Sequence, residues 1–313
     1  MSTIDNVRTD SSRFVPAHEL WSSRNAFLGA LRTAVCENKG FAAGKLGYSE
    51  QVWIASNTDA PSTGEAKFER AKRASARFHA CMQIGVFPNS DEYLNSSARS
   101  FRHSLSGIDF LAVHESPLVE DVVGSLTHKP HLIGFNELEP NREIPYRAED
   151  CYLPSLRNQR VLIITSPADL LVQRANVDTF TAVWRKTGCP WFYPRSVDGL
   201  AFTSLFDPDV RQDFDSSLEV LAHICDEIAM REFDVAIVGA GSLGIPIVHH
   251  VKQLGKIGLS LGGHLQVLFG VQGKRWREDA QWQRSYGNEA WIDMPSQAHP
   301  RGKDWLADGG AYW

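Results

Sequence analysis

Apolar residues along this chain fall into two kinds of run. Short continuous ones, such as Arg160-Val-Leu-Ile-Ile-Thr165, Phe233–Val238, Lys256–Leu261 and Ile108–Val113, read as strands buried on both faces. Residues 131–135 (His-Leu-Ile-Gly-Phe) add another, and a strand is expected near Trp191–Tyr193, before a polar connection holding Ser196-Val-Asp198. Between these lie stretches with apolar positions three and four apart, which predict helices over Pro16–Asn38, Glu65–Gly85, Ser90–Leu105, Ala168–Lys186, Asp207–Arg231 and Ser242–Leu254. Gly40–Glu50 reads as a short strand running into a glycine-containing turn. Strands alternating with helices predict βαβ units: an α/β fold with a mainly parallel sheet and helices on both faces.

Residues 1–13 read as a disordered leader and 14–313 as one α/β domain, with a Pro-, Asn-, Arg- and Glu-rich stretch at 139–153 as a boundary between halves. The formal charge of −5 argues against a general nucleic-acid-binding surface. Five scattered cysteines include no C-x-x-C pair, so neither a zinc site nor a disulfide framework is indicated. The first residues lack the apolar core of a signal peptide, and no run reaches the roughly 18 apolar residues of a membrane span, so a cytoplasmic location is expected. Tryptophan stands out, because five of nine fall at or after Trp276 and predict an ordered, packed tail closing a cleft.

Candidate chemistry lies at three turns. Gly239-Ala-Gly241-Ser242-Leu-Gly244 is a G-x-G-x-x-G between a strand and a helix, where backbone N–H groups and the helix N-terminus favour an anion. A nicotinamide dinucleotide is disfavoured, because the unit comes late in the chain and no acid follows about 20 residues on. A tight turn without ligand is the other reading. Gly262-Gly263 follows the strand at 256–261, with His264 and Gln266 next and Lys274-Arg275 beyond. At the carboxyl edge of a parallel sheet these cations would approach an anion, although a solvated surface is the ordinary fate of such a pair. Lys45-Leu-Gly47-Tyr48-Ser-Glu50 sets a cation and a carboxylate about a glycine turn. Glu50 there, and Glu115 after the strand at 108–113, are either structural carboxylates or contributors to a metal, sugar or proton site.

Together these segments resemble bacterial glycosyltransferase-like proteins of the GT-D fold class, in a branch found with cell-surface polysaccharide genes. The likeness is carried by Asp234–Pro246, Leu254-Gly-Lys, Leu261-Gly-Gly263, Gln266–Gly270, Gly273-Lys-Arg-Trp276, Asn288–Trp291 and Gly309–Trp313. Lys45-Leu-Gly47 with Glu50, Gly85–Pro88, and Arg160–Thr165 with Gln173 are looser matches. The resemblance implies a Rossmann-like catalytic domain and transfer of a sugar from a nucleotide-sugar donor, UDP-linked first, to a glycan, lipid or protein acceptor. Lys45, Gly47, Gly239, Gly241, Ser242, Gly244, Gly262, Gly263 and Gln266 would then bind the donor, and Glu50, Lys274 and Arg275 would act on it. The family's Asp-x-Glu metal pair is incomplete, because Tyr48 stands where the Asp belongs. Metal use is therefore in doubt, with Glu50 and Glu115 as the candidate ligands and the three cations as the substitute. The alternatives are a non-catalytic nucleotide or glycan binder of the same fold, and another Rossmann-type enzyme, a reductase or methyltransferase.

Overall fold

The structure, a computed structural model, describes residues 17–57, 66–139, 147–189, 192–301 and 306–313. The expected leader at 1–13, part of the proposed boundary (140–146), Trp191 and Trp305 lie outside the described residues.

Seven strands form one parallel sheet: β1 (Phe41–Leu46), β2 (Phe110–Val113), β3 (His131–Gly134), β4 (Arg160–Thr165), β5 (Ser196–Leu200), β6 (Val235–Gly239) and β7 (Ile257–Ser260). Their order is β3-β2-β1-β7-β6-β4-β5, an α/β Rossmann-like arrangement to which both halves of the sequence contribute strands. Register is fixed by burial on both faces. Ala42, Leu46, Leu111, Leu162, Ala236 and Val238 face one hydrophobic layer, whereas Phe41, Ala43, Phe110, Val161, Ile163 and Ile237 face the other. A one-residue slip would exchange the two sets.

The helices are α1 (Arg24–Glu37), α2 (Tyr48–Ser56), α3 (Ala66–Phe78), α4 (Asp91–Gly107), α5 (Pro117–Gly124), α6 (Ala168–Arg174), α7 (Val177–Val183), α8 (Val210–Asp213), α9 (Ser217–Ala229), α10 (Gly244–Gln253), α11 (His264–Leu268), α12 (Lys274–Arg277), α13 (Ala280–Ser285) and α14 (Ala307–Gly310). Helices α2, α4, α5, α9 and α10 cover the first face, and α1, α6, α7, α11 and α13 the second. The chain leaves β1 and β6 toward one face and β4 and β7 toward the other. Loops therefore part at the carboxyl edge and leave a crevice, the place where open α/β sheets bind ligands.

Several elements differ from the sequence reading for local reasons. The strand lies at Ser196–Leu200, a few residues beyond the expected Trp191–Tyr193, and among the described residues it pairs with β4 alone, so polar residues on this edge meet solvent. The single helix expected over 168–186 is two, because the Asn176 side chain accepts from Thr179 N–H and starts a new helix. Ser216 likewise delays the helix expected from Asp207, accepting from Glu219 N–H to open α9. The turn at 47–50 is already helical: Gly47 is the N-cap and Tyr48 the first residue of α2. Beyond Phe78 the helix widens into a π-helix, His79–Gln83. No helix among the described residues is long and apolar enough to cross a membrane.

Candidate functional site

A cleft of about 720 Å³ runs along the carboxyl edge, with wall residues contributed from the ends of all seven strands. From β1 come Lys45, Gly47, Tyr48, Ser49 and Glu50; from β6, Gly239, Ala240 and Gly241; from β7, Ser260 to Gln266. The two glycine turns touch, since a Cβ placed on Gly239 would lie 3.0 Å from the Gly262 carbonyl oxygen. Gly241 adopts φ 50°, a left-handed conformation that glycine takes without strain. Residues far apart in the chain are thus one surface.

The tryptophan-rich tail forms the opposite wall. Arg275, Trp276, Trp282, Tyr312 and Trp313 all line the cleft, and Trp291 packs behind Trp282 with ring centroids 5.8 Å apart. The last residues are stitched to the loop before α12: Lys274 N–H donates to the Trp313 oxygen at 2.9 Å and Arg275 N–H to the Ala311 oxygen at 3.0 Å. Gln266 Nε2 donates to the Tyr312 carbonyl at 3.0 Å, and the Arg275 guanidinium stands 5.1 Å from the Tyr312 ring centre. A Cβ on Gly263 would lie only 2.2 Å from Tyr312 Cε1, so this glycine lets the tail seat.

The cleft floor holds a charge cluster that sequence reading missed. Lys45 Nζ is bonded to Glu139 Oε1, with these side chains 7% and 6% exposed. The other Glu139 oxygen lies 3.7 Å from Nδ1 of buried His264. The Lys45 ammonium sits 3.8 Å from the centre of the Phe135 ring, and His114 stacks on that ring at 3.9 Å. Burial, and after it the Lys45 charge, push the His114 ring below its ordinary pKa, which favours neutral imidazole. Glu139 is 94 residues from Lys45 in sequence, and no local motif announces it.

Not every candidate reaches the cleft wall. Arg275 does, but its neighbour Lys274 is exposed outside it, because successive residues of α12 point in different directions. Ser242 and Gly244 lie beneath the wall: Ser242 is 3% exposed, and its N–H donates to the Ile84 carbonyl at 3.1 Å. That donor at the entrance to α10 is therefore already engaged by the π-helix segment. Glu115 is exposed and also outside the wall. Glu50 lies in it, with Oε2 2.7 Å from where a Gly47 Cβ would be, so the carboxylate folds back over the turn.

No family model and no curated protein matches the chain. Among solved structures, one described as a selenomethionine-substituted domain of unknown function 1792 aligns over 90% of this chain and 96% of its own, at 12% identity and a TM-score of 0.43.

For a metal, the described residues of the cleft do not fit. Among the described residues no group of three or more His, Cys, Asp or Glu is placed to hold an ion. Beside Glu50, Tyr48 brings a 59% exposed ring to the cleft and no second carboxylate. A divalent ion needs several oxygen ligands. What the cleft offers is a guanidinium, paired charges on the floor, backbone at two glycine turns and a largely aromatic outer wall.

Proposed function

We propose that the chain is a glycosyltransferase that moves a sugar from a nucleotide-sugar donor, UDP-linked first, to a glycan, lipid or protein acceptor. The observation that carries this reading is the convergence of the two glycine turns, Glu50 and Arg275 on one cleft at the sheet's carboxyl edge. Glycine turns let phosphate oxygens approach backbone N–H groups without side-chain obstruction. Arg275, braced over Tyr312, would meet the departing diphosphate with a forked donor pair. The half-buried rings of Trp276, Tyr312 and Trp313 suit a nucleobase or the apolar face of a sugar.

In the transfer, the bond from the anomeric carbon to the diphosphate oxygen breaks and a bond to the acceptor oxygen forms. The pair of electrons leaves with the diphosphate, whose charge Arg275 and the backbone stabilise. Glu50 orients the acceptor hydroxyl and receives its proton. No step runs through a metal ion, since the donor set does not fit one. Lys274, outside the wall, is given no part in this scheme, and the anion is assigned to Gly239–Gly241 and Gly262–Gly263 more than to the engaged entrance of α10.

Isothermal titration with UDP-, GDP- and CMP-sugars tests the reading. Saturable binding that weakens at least tenfold in Arg275→Ala supports it. Absence of binding at millimolar ligand, or binding indifferent to Arg275, contradicts it. A non-catalytic binder is the second reading, favoured by Tyr48 at the family's carboxylate position; it predicts binding without hydrolysis or transfer.

A further inference from the structure

Three rings are in successive contact near the mouth of the cleft. Tyr48 is 59% and Phe78 51% exposed, unusual for side chains of this size. Between them lies His79, edge-to-face with Tyr48 at 5.5 Å and 82° and with Phe78 at 5.6 Å and 81°. His79 opens the π-helix, a widened turn of a kind that recurs at functional sites. Its Nδ1 is 3.0 Å from Ser49 Oγ, a hydrogen bond that fixes the ring orientation. Tyr48, Ser49, His79 and Gln83 belong to the cleft wall, whereas Phe78 is exposed outside it, so the aromatic cluster spans wall and surface.

We infer that Tyr48, His79 and Phe78 form a carbohydrate platform on which consecutive sugar rings of a neutral glycan acceptor are seated. This deepens the glycosyltransferase reading and rests on it. The C–H face of a pyranose packs on an aromatic ring, and its hydroxyls need hydrogen-bonding groups beside that ring. The Tyr48 phenol and the Ser49 hydroxyl place such groups beside the rings. Charge points to a neutral chain: none of these side chains is a carboxylate or an ammonium, and the adjacent Arg77 is spent on Asp91. Tyr48 and Glu50 both line the cleft, so a chain on the platform would reach into the space that Glu50 borders.

Saturation-transfer NMR on the full chain tests the platform, with neutral hexasaccharides of glucose, galactose and N-acetylglucosamine at millimolar concentration and UDP in a parallel sample. We expect transfer to the ring C–H protons of at least one hexasaccharide, reduced at least threefold in Tyr48→Ala and in Phe78→Ala. Both rings are largely exposed, so the variants should fold, as circular dichroism and an unchanged melting temperature would verify. No transfer from any hexasaccharide, or transfer unchanged in both variants, overturns the inference. So does sedimentation with phosphatidylglycerol vesicles that depends on Phe78 without a saccharide signal, which would assign this rim and the exposed Lys72 and Arg73 of α3 to a lipid surface. The UDP sample keeps the two claims apart: loss of its signal counts against the donor reading, whatever the saccharides do.

Discussion

Replacing Glu139 by alanine removes the carboxylate that holds Lys45 at the cleft floor. The two side chains are 7% and 6% exposed, so little water is at hand to replace this carboxylate beside the ammonium. Truncating one member of a buried ion pair costs about 3–5 kcal/mol. The Phe135 ring, 3.8 Å below the ammonium, still offers cation–π attraction. Since that face of the pair adjoins the cleft, water can also relax into the gap. The expected loss is therefore about 2–4 kcal/mol, read as a lower urea midpoint at unchanged slope. Glu139→Leu combined with Lys45→Met removes both charges and should cost clearly less than the sum of the single changes, a coupling of at least about 1 kcal/mol. A Glu139→Ala cost below about 0.5 kcal/mol, or strict additivity in the double variant, would refute the floor cluster as a buried, coupled pair.

Three further outcomes follow from particular contacts. Gly263→Ala drives a Cβ against Tyr312, so the tail should lift, with a cost of about 1–3 kcal/mol and a red-shifted tryptophan emission from Trp276 and Trp313; an unshifted spectrum at full stability would count against the tail docking. Gly241→Ala forces a side chain into φ 50° with its Cβ 3.1 Å from the Ile84 carbonyl, and should destabilise by about 1–2 kcal/mol in thermal melts while weakening nucleotide binding. The hydrogen bonds of Arg160 hold the Asp234 carboxyl below the usual carboxylate range. Its stabilisation is thus present above the unfolded value near 3.9 and disappears as pH falls through the lower folded value. Asp234→Asn should flatten the acid limb of the stability–pH curve below about pH 4, and an unchanged limb would contradict the linkage.

Much of the sheet was legible because buried parallel strands write themselves as continuous apolar runs. β4 matches its expected span, Arg160–Thr165, and β6 and β7 fall within a residue or two of theirs. β5 was displaced by a few residues because an edge strand pairs on one side only and tolerates Ser196 and Asp198, which resemble a loop. Helix interiors were visible in their periodicity, whereas the break at Asn176 depends on a single side-chain cap. α2 begins with Tyr-Ser-Glu directly after glycine, and three residues carry no period, so it read as a turn. For the cleft, local glycine motifs were readable one at a time, but their contact across Gly239 and Gly262 is set by strand order. Glu139 and Phe135 acquire meaning only when β3 lies beside β2, one strand from β1, and the segment after it reaches Lys45. Lys274 and Arg275 looked equivalent in sequence, and the roughly 100° between successive helical residues puts only Arg275 in the cleft wall.

The most direct measurement of the central claim is a crystal structure of the chain with UDP bound. The account predicts the diphosphate against Gly239–Gly241 and Gly262–Gly263, with Arg275 within hydrogen-bonding distance of a phosphate oxygen. Density for UDP away from this cleft, or none at millimolar nucleotide, would contradict it.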